Sequence, residues 1–454
     1  MNRLSLVVVA LLAAGCAVGP EYSKPGVETP PAFKEAEGWK VAEPKDAVPK
    51  GKWWEVFDDP VLNGLEEQVS VSNQTLKVAE ARYAQARAGV ASARSQFFPV
   101  LRGDVGASRV KTNNGTNDNY SAGVDASWEL DLWGRIRRLV EANRATADAS
   151  AADVEAARLS LQAEVATNYF QLRVTDAQIA LLEDSIKAFQ QSYDITQNRY
   201  KAGVAAKVDV VQAQSQVLSV QAQAIDLRAA RAVLEHAIAV LIGKPPAQLA
   251  IAATPFRASI PGIPAGLPST LLERRPDIGA AERRMAAANA QIGVAQAAYF
   301  PTLGLSASGG VASDSMSRLF NSSNFVWSVG ASLAGTILDF GARGAAVDSA
   351  RANYDATVAD YRDTVLNSFR EVEDQLANVR YLGEASVVQE QAAAAARETV
   401  ALTVNQYKAG TVSFLNVATA QASQLSEERS TVQLLGRRLT ASVSLIRALG
   451  GTWE

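Results

Sequence analysis

The segment from Arg135 to Tyr200 contains neither glycine nor proline, and this run of 66 positions constrains the fold more than any other feature. It is rich in Ala, Gln, Glu, Arg and Leu, which favour helices, so it predicts one helix over about 134–200. At about 1.5 Å per residue, such a helix is roughly 100 Å long, which a compact domain does not accommodate. Lys201-Ala202-Gly203 follows it and predicts a helical hairpin whose return helix covers about 204–242.

Apolar residues along both predicted helices recur at alternating spacings of three and four. Examples from the long helix are Ile179, Leu182, Ile186, Phe189 and Tyr193. This 3.5-residue spacing is typical of coiled coils, in which side chains of one helix fill the gaps between those of its neighbour. A solvated stalk of only two helices fits the same pattern, so both interpretations stay open at this point.

Composition and charge exclude several classes of protein. Apolar residues make up 48% and charged residues 20%, which fits neither a disordered polymer nor a polytopic helical membrane protein. With 44 Lys and Arg against 47 Asp and Glu, the chain offers no basic surface for nucleic acid. The only cysteine is Cys16 and the only histidine is His236, so we expect no metal site, no cofactor and no Cys/His catalysis. An enzyme that uses carboxylates alone is a weaker alternative.

The amino terminus has the features of a signal peptide. Residues 1–15 combine a positive start, a short apolar run and small residues directly before Cys16. The apolar run is too short to span a hydrocarbon core of about 30 Å. The segment resembles a bacterial lipoprotein signal, which implies a covalent lipid on Cys16. Ala17 stands where aspartate favours inner-membrane retention in such lipoproteins, so the resemblance implies the outer membrane.

Two segments of the first half alternate apolar and polar residues with a period of two. This pattern predicts strands over about 99–110 and 120–131, joined by a polar loop over 111–119. Strands of about eleven residues cross a membrane when they are tilted by about 45°. We therefore expect a membrane-spanning strand hairpin.

The second half of the chain repeats the plan of the first. Asn198–Gln216 aligns without gaps to Asn405–Ser423, and eight of the 19 positions are identical, including Tyr-Lys-Ala-Gly. We predict two tandem repeats, 61–244 and 269–454, each with a helix, a strand hairpin, a long helix, a tip and a return helix.

The remaining boundaries follow from the same patterns. In the second repeat, strands are expected over about 302–312 and 325–337, a long helix over about 342–408 and a return helix over about 412–449. An extended tail over 16–60 precedes the repeats, and a proline-rich linker over 245–268 joins them.

Four strands are too few to close a barrel, yet an open sheet edge in hydrocarbon costs several kcal/mol for each unpaired backbone group. The missing strands must therefore come from other copies of the chain. Two chains give eight strands and a barrel filled by side chains, whereas three give about twelve strands and a lumen. The predicted fold class is an α+β membrane protein that forms a homotrimer with a shared pore.

In such a barrel, the polar strand faces line water and the apolar faces meet lipid. The expected pore-lining residues are Arg102, Asp104, Asp125 and Glu129, whose excess negative charge favours cations. The expected residues of the aromatic girdle at the membrane interfaces are Trp128, Trp327 and Tyr120.

Several motifs together resemble the TolC/OprM-type outer-membrane factors, the exit ducts of bacterial tripartite efflux systems. These motifs are Cys16-Ala-Val-Gly-Pro-Glu-Tyr22, Trp53-Trp54, Trp128-Glu-Leu-Asp-Leu-Trp-Gly134-Arg135, Arg274-Arg275-Pro276-Asp277 and both Tyr-Lys-Ala-Gly tips. The resemblance covers nearly the whole mature chain. It implies a trimeric outer-membrane β-barrel continued by a coiled-coil α-helical barrel through the periplasm. It also implies a periplasmic adaptor and, indirectly, an inner-membrane pump as partners, besides outer-membrane lipid.

The helix tips carry two functional hypotheses. The first is that they dock the adaptor through Lys201, Ala202, Gly203, Val204, Lys408, Ala409, Gly410 and Thr411. The second is a periplasmic gate formed by the large side chains next to the second tip and the nearest carboxylate of the first hairpin, namely Tyr407, Phe414, Leu415 and Asp209. Relatives often place an acidic residue where Thr419 stands, so we expect a mainly apolar constriction.

A coiled-coil lipoprotein that scaffolds the envelope without conducting ions is the main alternative. It explains the long helices and Cys16, but it gives no purpose to four alternating strands of membrane length.

Overall fold

The computed structural model describes residues 17–26, 51–113, 115–256, 260–261 and 274–451. The helices are α1 (Pro60–Ser72), α2 (Gln74–Ser95), α3 (Arg135–Lys201), α4 (Lys207–Leu241), α5 (Pro276–Ala297), α6 (Ala342–Ala409) and α7 (Phe414–Ala448). The strands are β1 (Val100–Thr112), β2 (Gly115–Leu130), β3 (Thr302–Ser313) and β4 (Phe325–Ala334). The predicted signal peptide, Cys16, much of the tail and part of the linker lie outside the described residues. No helix in the described ranges is both long and apolar enough to cross a membrane.

The chain divides into two compact units, and neither unit corresponds to a sequence half. The sheet unit comprises residues 1–28, 80–153 and 277–364, and the helical unit comprises residues 29–79, 154–276 and 365–454. Each predicted repeat therefore contributes its strands and the first part of its long helix to the first unit, and the rest of its helical hairpin to the second. Sequence repeats and compact units differ here because strands pair with strands and coiled-coil helices pack with helices, whichever half they come from.

The sheet unit contains one antiparallel sheet with the strand order β1-β2-β3-β4. One row of Cα partners runs Arg102–Asp125, Asp125–Ser308 and Ser308–Ser328, and the two serine hydroxyls lie 2.8 Å apart. The adjacent row runs from Leu101 through Ala126 and Ala307 to Val329. Because partners in an antiparallel pair share a face, the sheet has one polar and one apolar face. The alternation seen in the sequence therefore holds across all four strands.

The first strand hairpin is longer than the sequence predicted. The segment 111–119, which we expected to be a loop, continues the ladder to the partners Thr112 and Gly115, and Gly115 has a φ of 126°. Arg109 and Asp118 are cross-strand partners, and two hydrogen bonds of 2.5 and 2.7 Å join their side chains. This pairing explains why the predicted loop over 111–119 is strand instead. Polar residues that are typical of turns can extend two strands when each residue has a partner on the opposite strand.

The two strands that lead into long helices end in the same way. After β2, the Asp131 carboxylate accepts the backbone amides of Ile136 and Arg137 at 2.9 and 3.0 Å. After β4, the Asp339 carboxylate accepts the amides of Gly341 and Arg343 at 3.1 and 3.2 Å. An acceptor at a helix N-terminus satisfies donors that have no partner within the helix. β4 ends at Ala334, three residues before the predicted end at about 337.

In the helical unit, the two hairpins α3–α4 and α6–α7 pack through an apolar cluster. Its buried members are Leu182, Phe189, Val217, Val220, Ala224 and Leu425. Next to α1, Phe57 packs on Phe170 with ring centroids 4.8 Å apart, and the Tyr169 hydroxyl donates to the Asp59 carboxylate at 2.7 Å. These contacts fix the start of α1 to the middle of α3.

Glu66 lies on the buried face of α1 together with Leu62, Leu65 and Val69. Its side chain is fully buried, and neither carboxylate oxygen has a hydrogen-bond partner within the described structure. Burial raises the pKa of Glu66 well above its ordinary value, because a charged carboxylate is poorly solvated there. The folded protein therefore holds a proton that the unfolded chain releases above a pH of about 4.5.

We expect the Glu66→Gln variant to be more stable than the wild type at neutral pH. The wild-type free energy of unfolding should fall as the pH rises from about 4.5 towards the raised pKa of Glu66, because the unfolded chain ionises first. The neutral amide of glutamine removes this loss. The free energy of unfolding at neutral pH should therefore rise by on the order of 1–3 kcal/mol. Thermal unfolding of the detergent-solubilised protein at pH 5 and pH 8 measures it.

The control is Glu67→Gln, since the neighbouring Glu67 is exposed and forms a surface ion pair with Lys52. It should leave the pH dependence unchanged. Equal pH dependence in the wild type and Glu66→Gln would contradict the assignment of a neutral Glu66.

Candidate functional site

Both helical hairpins turn with the same backbone geometry at a glycine. In the first tip, Gly203 has a φ of 75°, its amide donates to the Tyr200 carbonyl at 2.9 Å, and the Val204 amide donates to the Arg199 carbonyl at 2.9 Å. The second tip repeats these bonds at 3.0 Å around Gly410, whose φ is 79°. This is the Schellman motif that ends many helices with a left-handed residue. The return helices begin at Lys207 and Phe414, later than the predicted 204 and 412, because the turn uses the intervening residues.

All eight residues predicted to dock an adaptor are exposed. They are Lys201, Ala202, Gly203, Val204, Lys408, Ala409, Gly410 and Thr411. Nothing lies within 4 Å of the position that a Cβ on Gly203 would occupy. The two tips thus present open backbone with similar geometry.

Two of the predicted gate residues, Tyr407 and Phe414, are buried within the chain. Tyr407 is 5% exposed and Phe414 is 1% exposed, and their rings pack edge to face with centroids 5.7 Å apart. They belong to an apolar cluster with Ala213, Val417 and Ala418. A gate role for these two residues stays a prediction. Consecutive helical residues point in directions about 100° apart, so only one of Phe414 and Leu415 can face outward.

The other two predicted gate residues keep accessible positions. Leu415 is 55% exposed. Asp209 is half-buried in the first turn of α4, where its carboxylate accepts the Ala206 amide at 3.4 Å. Their role in a gate stays a prediction.

Arg199 joins the two tips, and the sequence analysis missed it. Its Nη1 donates to the carbonyls of Tyr407 and Lys408 at 3.0 and 3.3 Å. Its guanidinium also lies 4.8 Å from the centroid of the Tyr407 ring, within the range of a cation–π interaction. The sequence did mark this position. Arg199 aligns with Gln406, and this is the single difference between the two Asn-x-Tyr-Lys-Ala-Gly motifs.

Further contacts between the hairpins near the tips are also polar. The Tyr407 hydroxyl donates to Thr196 Oγ1 at 3.2 Å, and the Gln421 amide donates to Ser192 Oγ at 2.9 Å. Gln216 donates to the Ala418 carbonyl at 3.2 Å. Directional bonds of this kind specify one relative position of the two hairpins, whereas the apolar cluster deeper in the unit supplies non-directional packing.

The predicted pore-lining residues share the polar face of the sheet. Arg102, Asp104 and Asp125 are on strands β1 and β2, and Arg102 is the Cα partner of Asp125. Glu129 differs from the others, because Arg135 donates to both of its carboxylate oxygens at 2.9 and 3.0 Å. Its charge is therefore paired within the chain. The corresponding faces of β3 and β4 carry mainly serine and glycine.

The family model described as outer membrane efflux protein matches residues 65–244 and 267–451. The chain belongs to this family. Over its whole length it is 31% identical to the probable efflux pump outer membrane protein TtgC of Pseudomonas putida and covers 96% of that protein. It is 30% identical to the cation efflux system protein CusC of Escherichia coli, with 98% of each chain covered. The solved structure of the outer-membrane channel OprN has 32% identity and a TM-score of 0.86, and the match covers 96% of this chain and 100% of that one.

Membership in the outer membrane efflux protein family confirms the resemblance found in the sequence. It also places the chain in the outer membrane and gives it a role in efflux. The fold is that of the family's channels, mostly helical with one four-stranded sheet, which confirms the predicted fold class at this level.

Proposed function

We propose that three copies of this chain form a twelve-stranded β-barrel in the outer membrane, continued by an α-helical barrel in the periplasm. One observation carries the proposal: the sheet has an apolar and a polar face and ends in two outer strands, β1 and β4. Pairing β4 of one subunit with β1 of the next removes every edge from the lipid. The apolar face then meets lipid and the polar face lines the lumen.

The two halves of the chain act as tandem repeats in this proposal. Corresponding helices have nearly equal lengths, with 22 residues in α2 and α5, 67 and 68 in α3 and α6, and 35 in α4 and α7. Equal lengths bring six tips per trimer to a common level, which suits a ring of adaptor subunits. A periplasmic adaptor would bind this rim and connect the duct to an inner-membrane pump.

Transport through the duct is passive in this proposal, and the helix tips gate it. Leu415 and Asp209 are the accessible side chains that would narrow the periplasmic end. Asp104 and Asp125 outnumber the single cation Arg102 on the polar face, so the lumen would weakly favour cations. No cofactor is needed, and a lipid on Cys16 would add a second membrane attachment.

Conductance in planar bilayers tests this proposal. We expect heat-modifiable trimers that conduct ions, with a larger single-channel conductance in Leu415→Ala. A scaffold lipoprotein would form helical assemblies without conductance. The absence of current from correctly assembled trimers would therefore reject the channel.

We expect Gly203→Val and Gly410→Val to abolish efflux while the trimers still assemble. A β-branched side chain disfavours the positive φ of both glycines and covers the open backbone that we assign to adaptor docking. Resistance of cells that depend on this duct should fall at least tenfold, as measured by minimum inhibitory concentration. Gly383→Val in α6 is the control, because a Cβ there, like one on Gly203, meets no atom within 4 Å, and the position lies away from the tips. Wild-type resistance in both tip variants would reject docking at these residues.

A further inference from the structure

The loop between β4 and α6 exposes large apolar side chains. Ile337 is 98% exposed and Phe340 is 94% exposed. Phe340 also has a φ of 51°, in the left-handed region that an aromatic residue rarely adopts. A backbone held in this region persists where surrounding contacts compensate for its cost. The Phe340 ring makes little contact with its own chain, so a compensating contact must come from outside it.

The equivalent loop of the first repeat is packed within the chain. Leu130-Asp131-Leu132-Trp133-Gly134 corresponds to Leu338-Asp339-Phe340-Gly341, so Trp133 corresponds to Phe340. The Trp133 ring stacks on Phe300 with centroids 4.7 Å apart and an angle of 23° between the ring planes. The Trp133 indole also donates to the Pro301 carbonyl at 2.8 Å. The two repeats therefore share an aromatic position after the second strand, and only the first repeat covers it.

Phe98 is the counterpart of Phe300. Phe97-Phe98-Pro99 precedes β1, just as Tyr299-Phe300-Pro301 precedes β3. Phe97 packs against the buried cluster of Ala93, Ile136 and Val140. Phe98 is 68% exposed, whereas Phe300, which lies under Trp133, is 38% exposed. The chain thus exposes both Phe98 and Phe340, the two residues whose counterparts stack on each other.

The strand order explains why one pair of rings is joined and the other is not. Trp133 follows β2 and Phe300 precedes β3, and these two strands pair inside the sheet. Phe340 follows β4 and Phe98 precedes β1, and these are the two outer strands. In the proposed barrel, β4 pairs with β1 of the next subunit. This junction would repeat the β2–β3 junction and bring the two exposed rings to the same end of it.

The ladders of the two strand hairpins define which strand positions correspond. Val100 and Thr302 each follow the proline that precedes their strand. Val100 is the Cα partner of Ser127 in the first hairpin, and Thr302 is the Cα partner of Ala334 in the second. Positions on β1 therefore correspond to positions on β3, and positions on β2 to positions on β4.

This correspondence predicts a register for the junction between subunits that can be checked against the faces of the sheet. The partners Ala126 and Ala307 of β2 and β3 are replaced by Leu333 and Val105 of the next subunit. Both Leu333 and Val105 belong to the apolar face of the sheet, because each is an even number of residues from a member of the apolar row. A register shifted by one residue would place apolar side chains opposite polar ones. The transferred register therefore keeps both faces continuous.

We propose that Phe340 of each subunit packs on Phe98 of the next subunit, at the end of the sheet from which the helices continue. The contact takes the place that Trp133 and Phe300 occupy within the chain. This inference rests on the proposed function, because only the closed barrel joins β4 to β1. Three such contacts per trimer would hold the inter-subunit strand pairs in one register.

Photocrosslinking from position 340 tests the contact. The variant Phe340→p-benzoylphenylalanine is irradiated in whole cells, and adducts are mapped by mass spectrometry. We expect covalent dimers and trimers in which the probe is attached at residues 97–99 of a second copy. Trp133→p-benzoylphenylalanine is the matched control, and its adducts should lie at Phe300 and Pro301 without covalent dimers. Adducts from position 340 on lipid, or on another segment of the protein, would overturn the proposal.

A cysteine pair separates failure of this contact from failure of the barrel. Leu333→Cys combined with Val105→Cys places thiols on opposed positions of the junction, where Cα atoms of cross-strand partners are close enough for a disulfide. Disulfide-linked trimers without crosslinks from position 340 to residues 97–99 would reject the ring contact and retain the barrel. A lack of both would reject the barrel, and the ring contact with it.

Heat dissociation of the trimer measures what the contact contributes. Phe98→Ala and Phe340→Ala should each lower the dissociation temperature, and the double variant should lower it no further, because both changes remove one interaction. Phe340→Trp introduces the residue of the equivalent loop and should preserve the wild-type temperature. Phe320→Ala is the control, since Phe320 is an exposed aromatic residue in the connection between β3 and β4. Additive losses in the double variant would overturn a direct contact between Phe98 and Phe340.

Discussion

Replacing Val124 with arginine should prevent assembly of the protein in the outer membrane. Val124 is on the apolar face of β2, between Tyr120 and Leu130, and is paired with Gly103 and Gly309. Arginine on a lipid-facing strand position near the bilayer midplane costs about 2–4 kcal/mol, and a trimer would incur this cost three times. We expect the heat-modifiable trimer to be nearly absent from outer-membrane fractions.

Asp125→Arg is the matched control for this variant. It introduces the same side chain one residue away, on the opposite face of the same strand. Trimers should assemble, and the reversal potential under a salt gradient should shift towards anions because the lumen gains positive charge. Normal assembly of Val124→Arg, or loss of assembly in Asp125→Arg, would show that the faces are assigned the wrong way round.

Replacing Arg199 with alanine should open the periplasmic end of the duct. The variant loses two charge-assisted hydrogen bonds and a cation–π contact between the tips. Such contacts together are worth about 1–3 kcal/mol, which changes a closed-to-open ratio roughly 5- to 150-fold. Single-channel recording in planar bilayers should show a markedly higher open probability.

Two further substitutions test the specificity of this effect. Arg199→Lys keeps the charge but loses the planar fork, so its open probability should be intermediate. Arg228→Ala removes an exposed ion pair with Glu183 in the same hairpin and should leave conduction unchanged, because surface pairs contribute little. An unchanged open probability in Arg199→Ala would reject its role as a restraint on the tips.

The strands and long helices could be predicted because each depends on a local pattern. The alternation from Tyr120 to Leu130 has the period of a strand, and the helix α3 covers almost the same residues as the run without glycine or proline. The start of β2 could not be predicted in this way. Asn117, Asp118 and Asn119 favour turns in isolation, and they become strand only through partners across the hairpin.

The candidate site was less predictable than the fold, because its residues meet across long sequence separations. Phe414 and Leu415 are both large and apolar, and only the packing of Phe414 on Tyr407 decides which of them faces outward. Arg199 acts on carbonyls more than 200 residues away, and carbonyls leave no trace in a sequence. The glycine tips were found because a repeated Tyr-Lys-Ala-Gly motif marks them twice.

The uneven lengths of the two strand hairpins have a practical consequence. The ladder between β2 and β3 ends at Tyr120, whereas β1 and β2 remain paired for five more residues up to Gly115. At about 3.4 Å per residue, a two-stranded ribbon of about 17 Å continues past the rim of the sheet. The Arg109–Asp118 pair lies on this ribbon and keeps its strands in register. In the proposed barrel, with the long helices in the periplasm, this ribbon is on the outer side of the membrane. An epitope inserted into its turn would then be displayed to the medium by living cells.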